Sequence, residues 1–224
     1  MPDIFDEVQE ELRAERARQL GVRYGGMLAG VALLVLVGLG GWQGWRWYEQ
    51  RQASQAATTF LEAHRAAEAQ GADLKAVGDR FAALAAESPA GYRLLSLLRA
   101  AALKAETGDR AAALAMWDQV ASDSAAPQLY RDLASLMWAL HGMDSQDPAL
   151  LAARLEPLAQ AGGQTGSQSG SPWRASAREL RALLAIRRGE TAEAKRDLEA
   201  LAADVNAPRG LRDRASRLAA GLGV

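Results

Sequence analysis

Apolar and polar positions follow three different rhythms along the chain. In the first 23 residues Ile4, Phe5, Val8 and Leu12 recur three and four apart, between Glu7, Glu10, Glu11 and Arg13. That is the period of a helix with one apolar face. Asp3 is placed to cap its start, with Asp6 three residues on. From Tyr24 to Trp45 the rhythm disappears, and 22 residues carry no charge. A helix of that length covers about 33 Å, the thickness of a bilayer's hydrocarbon core. Beyond it the helical rhythm returns and is cut by turn signals at Gly71, Ser88-Pro89, Gly108-Asp109, Ala126-Pro127, Asp147-Pro148, Gly189-Glu190 and Ala207-Pro208. Alanine, leucine, arginine and glutamate dominate there, and β-branched residues are sparse. The pattern predicts an all-α protein made of antiparallel helix pairs after one membrane-spanning helix. Its parts are a cytoplasmic amphipathic tail (1–23), a transmembrane helix (24–45) and a helical domain (46–224) with a flexible loop at 162–171.

The flanks of the uncharged stretch separate it from a signal peptide. Six acids and four arginines precede it, and Trp42, Trp45, Trp47 and Tyr48 stand at its far end in place of small cleavage-site residues. Aromatic residues at that level suit the membrane interface. Arg13, Arg16, Arg18 and Arg23 lie before the span, against Arg46 and Arg51 close behind it, which predicts an N-terminus in the cytoplasm. In a bacterium the domain then lies in the periplasm. Gly26 and Gly30 share one helix face and are candidates for packing against a partner helix, although glycine is common in membrane helices in any case. The acids of the tail argue against tight docking on an anionic surface.

The helical domain contains an internal repeat. With an offset of 81 residues, Tyr92 through Trp138 align without a gap on Trp173 through Ala219. Arg93/Arg174, Gly108/Gly189, Asp123/Asp204, Ala126-Pro127/Ala207-Pro208 and Arg131-Asp132/Arg212-Asp213 match in one register. Two units of about 34 residues plus a loop of about 13 make up the offset, and about 34 is the period of tetratricopeptide repeats. The run GGQTGSQSGS at 162–171 supplies the loop. The unit around Gly108 resembles such a repeat in Ala101, Gly108-Asp109, Ala113 and Trp117. The unit around Gly189 does so in Ala182, Gly189-Glu190, Ala194 and Leu198. The closing prolines come two residues late, and the large aromatics of the first helix are missing. The resemblance implies a right-handed α-solenoid.

Charge and composition narrow the chemistry. From Arg46 onward 22 basic residues face 21 acids, so nothing draws the domain to nucleic acid. There is no cysteine, and His64 and His141 belong to no metal-ligand spacing. No phosphate loop and no nucleophile elbow occurs. These absences predict a protein that is not an enzyme, with no catalytic residue, metal, cofactor or small-molecule substrate. Tyr92, Trp117, Tyr130, Trp138 and Trp173 either line an apolar groove for polypeptide segments or fill the core between helices.

The layout as a whole resembles the YfgM-type family of inner-membrane proteins. The similarity lies in the tail, the span with its tryptophans, the stretches 155–159, 172–174 and 177–180, and the ending Pro208-Arg209-Gly210-Leu211-Arg212-Asp213-Arg214-Ala215. It implies an ancillary subunit of the SecYEG translocon, single-pass in the bacterial inner membrane, whose periplasmic domain contacts exported polypeptides and periplasmic chaperones. An envelope scaffold that links other membrane complexes without touching clients is the other reading the residues allow.

Overall fold

The computed structural model describes residues 4–160 and 171–223. Within the first helix it describes side chains at 26, 27, 29–31 and from 33 onward. The described residues are helical throughout, with no strand. The helices are α1 (Ile4–Glu68), α2 (Leu74–Glu87), α3 (Ala90–Glu106), α4 (Arg110–Ser122), α5 (Gln128–Gly142), α6 (Pro148–Ala159), α7 (Arg174–Arg187), α8 (Thr191–Ala203) and α9 (Arg209–Gly221). The chain divides into two compact units, 1–54 and 55–224.

In the first unit α1 is unbroken across the boundary expected at residue 45. Met27, Leu33, Leu34, Leu36 and Val37 are each more than half exposed. So are Trp42, Trp45 and Trp47. Arg46 lies over the Trp42 ring at 4.6 Å, and Arg51 over Trp47 at 5.3 Å. Among the described residues no helix is long and apolar enough to cross a membrane. Of the stretch expected to span the membrane, the side chains at 24, 25, 28 and 32 lie outside the described residues. Asp3 and the side chains of the amphipathic tail through Arg23 lie outside the described residues, while its backbone from Ile4 is part of α1.

The second unit is a row of helix pairs, each helix packed on its neighbours in the chain. Among the described residues, α5 with α7 and α7 with α9 make the further substantial contacts. Sequence explains the punctuation. Among the described residues Gly71, Gly108 and Gly189 are the glycines with positive φ, at +77°, +89° and +78°. Each closes a helix where a side chain on Cα would be strained. Asp73 and Asp109 then cap the following helices by accepting the amides of Ala76 and Ala112. Asp147 caps α6 in the same way, accepting from Ala149 at 2.7 Å.

Three apolar clusters run along this row. Phe81 and Leu103 pack with Phe60 at the end of α1. The largest cluster joins α2 through α7 around Trp117, Leu151, Leu155 and Leu180. A small one holds α7, α8 and α9 together through Leu198, Leu201 and Ala215. One ion pair bridges the first turns: the nearly covered Lys104 ammonium donates to Asp79 Oδ1 at 2.5 Å and stands 3.8 Å from Asp109. The hydrogen bond lowers the Asp79 pKa and raises that of Lys104.

Of the loop expected at 162–171, residues 162–170 lie outside the described residues. Ser171, its last position, is buried and donates to Asp132 Oδ2 at 2.8 Å. Gln128 donates to the other oxygen of Asp132 at 2.6 Å, so this buried carboxylate is satisfied by neutral donors. On the last helix Arg209, Arg214 and Arg217 are exposed and Arg212 is half-buried. Arg214, its side chain 53% exposed, also donates to Glu179, because α9 packs against α7.

Candidate functional site

The 81-residue offset of the sequence is an offset of the backbone. α4 and α8 begin and end 81 residues apart, as Arg110–Ser122 and Thr191–Ala203. α5 and α9 start 81 apart, each after a proline. The turn between them repeats bond for bond. Asp123 and Asp204 each close a helix, and their side-chain Oδ1 atoms accept from Ala125 and Asn206 at 2.9 and 3.0 Å. Their carbonyls take the amides of Ala126 and Ala207, both at 3.0 Å. Aspartate suits this place because its short side chain bonds a backbone amide two residues on.

In the first copy this turn stands beside an apolar pocket of about 420 Å³. The starts of α3 and α5 form its walls, through Tyr92, Leu94, Leu95 and Tyr130, and the turn supplies Asp123 and Pro127. Tyr92 is held from behind by Phe60, with ring centroids 6.0 Å apart. Asp123 Oδ2 has a single ion partner, Arg93, at 3.8 Å. In the second copy the matching residues are Trp173, Ala175, Ser176, Asp204, Pro208 and Leu211. There Arg178 and Arg174 reach Asp204 Oδ2 at 3.0 and 3.3 Å.

The aromatic residues singled out in the sequence therefore separate. Tyr92 and Tyr130 line one pocket. Trp138 is buried in the large cluster, with the Arg154 guanidinium 4.1 Å above its ring. Trp173 packs on the same cluster and donates its indole N–H to the Leu129 carbonyl at 3.1 Å. Trp117 is the largest fully buried side chain and stacks on His141, with centroids 4.6 Å apart. Burial, and then the charge of Arg110, push the His141 pKa down. Gly26 and Gly30 lie on α1 with open space where a Cβ would stand. Asp123 escaped the reading of the sequence as a pocket residue. The signal was present in the duplication: Arg178 is replaced by Leu97 in the first copy, while both aspartates are kept.

Among the described residues no group of His, Asp and Glu is placed to hold a metal ion. A family model described as a tetratricopeptide repeat-like domain matches residues 22–212. No curated protein and no solved structure matches the chain.

Proposed function

We infer a function from one premise: the chain belongs to the tetratricopeptide repeat-like domain family. Repeats of this kind stack into an extended surface that engages other polypeptides and carries no catalytic apparatus of its own. The observation that carries the reading is the duplicated helix pair, packed neighbour on neighbour from α2 to α9.

The finer proposal is a right-handed α-solenoid tethered to the bacterial inner membrane by residues 24–45. The tail is cytoplasmic and the repeats are periplasmic. The chain serves the SecYEG translocon as an ancillary subunit, with chaperone-like contacts to exported polypeptides. Four observations support it: the uncharged 22-residue run, the arginines before it, the exposed apolar side chains of α1, and the layout similar to the YfgM-type family. A tether raises the concentration of the repeats beside the pore without any added contact. Gly26 and Gly30 offer a face on which a translocon helix packs closely.

The test is recovery of the tagged full chain in mild detergent, with mass spectrometry of what accompanies it. Translocon subunits are the expected companions. Recovery of folded envelope complexes without the translocon would replace this reading by that of an assembly scaffold. For topology, protease added to spheroplasts is expected to digest the chain after Trp45 and spare the tail; a protected domain overturns the periplasmic role.

A further inference from the structure

We propose that the pocket between Tyr92 and Tyr130 receives an arginine side chain from a partner polypeptide, with Asp123 as its carboxylate. This rests on the domain being a polypeptide-binding scaffold, and it names what one of its pockets recognises.

The second repeat shows what this aspartate takes. Asp204 Oδ1 is used by the turn, and Oδ2 accepts from two guanidinium groups of the same chain, at 3.0 and 3.3 Å. Its side chain is 15% exposed. In the first repeat Asp123 Oδ1 is used by the same turn, at 2.9 Å. One arginine is kept, as Arg93, but it stands 3.8 Å from Oδ2, beyond hydrogen-bonding reach. The other is Leu97. The Asp123 side chain is 35% exposed and forms part of the pocket wall. Asp123 thus stands in the pocket wall with an Oδ2 that accepts no guanidinium hydrogen bond, where its counterpart accepts two.

The remaining walls fit the rest of an arginine. Leu94, Leu95 and Pro127 offer apolar surface to its methylenes. Tyr92 and Tyr130 line the pocket, and aromatic walls suit its flat, weakly hydrated head. Lysine has no such plane, and an acidic residue meets Asp123 with like charge. At about 420 Å³ the pocket has room for an apolar neighbour of the arginine too.

Capped nonapeptides with a central Leu-Arg-Leu decide the matter, titrated calorimetrically into the full chain in detergent. Matched peptides carry citrulline, lysine or glutamate in place of arginine. Citrulline keeps the shape and removes the charge. The arginine peptide is expected to bind about tenfold tighter than the citrulline peptide, a difference of about 1.4 kcal/mol. Asp123→Asn keeps an oxygen for the Ala125 amide and is expected to erase that ratio. Tyr130→Leu installs the residue of the other repeat and is expected to weaken the arginine peptide several-fold. Equal binding of the arginine and citrulline peptides, a ratio that survives Asp123→Asn, or no binding by any peptide overturns the proposal. If Asp123→Asn lowers the melting temperature, the arginine–citrulline comparison on the unaltered chain decides alone. The scaffold reading fails on a different result, an empty detergent pull-down.

Discussion

The first and second repeats have the same backbone register and hold it by different forces. In the first, position by position, Trp117 meets His141 and the facing helices carry Leu98 and Leu133. In the second, Leu198 and Leu222 replace the stacked pair, and Glu179 and Arg214 replace the leucines. Glu179 is nearly buried, and Arg214 meets it with two hydrogen bonds of 2.8 and 2.9 Å. That pairing raises the Arg214 pKa above its ordinary value. The first repeat sits inside the large cluster that runs from α2 to α7, whereas the second closes on a small one at the end of the row. One turn geometry therefore tolerates two kinds of interior. What both copies retain is backbone chemistry: the positive-φ glycine, the aspartate that closes the second helix, and the proline that opens the next. In a solenoid each pair answers mainly to its neighbours, so an internal pair and a terminal pair face different demands.

The largest expected effect breaks the first interior. Trp117→Ala removes a side chain that is 1% exposed at the centre of the large cluster, which costs about 3–5 kcal/mol in lost burial and cavity. Leu198→Ala, at the matching place, is expected to cost less, about 2–3 kcal/mol, within the range for a buried leucine. Hydrogen exchange sharpens the difference. Trp117→Ala is expected to lower protection from α3 through α7 together. Leu198→Ala is expected to lower it in α8 and α9 while leaving α4 and α5 protected. The same loss of protection along the whole row in both variants would show one cooperative unit and no internal–terminal distinction.

The next effect tests the ion pair of the second interior. Arg214→Leu leaves the Glu179 carboxylate nearly buried without its partner, at a cost of about 1–3 kcal/mol. Glu179→Leu is expected to cost less, because the Arg214 side chain is 53% exposed and can turn to water. The combination Glu179→Leu with Arg214→Leu restores the residue types of the first repeat and is expected to recover most of the loss. Thermal melting of the four proteins gives the coupling. Additive losses would mean that the pair contributes nothing beyond its separate side chains.

How much of this was legible in the sequence follows from the range of each interaction. The all-α class, the turn glycines and the 81-residue duplication are written in local signals and in register. Gly108 and Gly189 needed only their place between two helical runs to be expected at positive φ. Contacts between distant segments were not legible. Nothing in the sequence pairs Ser171 with Asp132, 39 residues apart, and Ser171 reads there as the last residue of a polar loop. The pairing of Arg214 with Glu179, 35 residues apart, is likewise hidden until α9 is seen packed on α7. The aromatic residues were legible as a group and not one by one. Tyr92 and Tyr130 differ from Trp138 only in where the helix ends lie relative to the pocket. Asp123 stands out only once its two counterpart arginines at Asp204 are seen.

The smallest expected effect is a pH dependence confined to the first repeat. His141 stacks on Trp117, and Arg110 is the charged group that acts on it; burial first and that positive charge second disfavour the imidazolium. Its pKa in the folded chain therefore lies below the ordinary value, and the unfolded chain binds the proton more readily. Stability is then full above about pH 6.5 and falls as the pH drops from there toward the folded-state pKa. Below that pKa this contribution is lost altogether and the curve flattens. The second repeat has Leu222 at the matching position in place of a histidine, so it has no such histidine term. Melting the full chain at closely spaced pH values checks this against His141→Leu, which copies the second repeat. The unaltered chain is expected to lose on the order of 1–2 °C more than the variant as the pH falls below about 6.5. Parallel curves would show that His141 keeps its proton equilibrium unchanged on folding, and that the stack on Trp117 remains open enough to water to leave the two interiors alike in this respect.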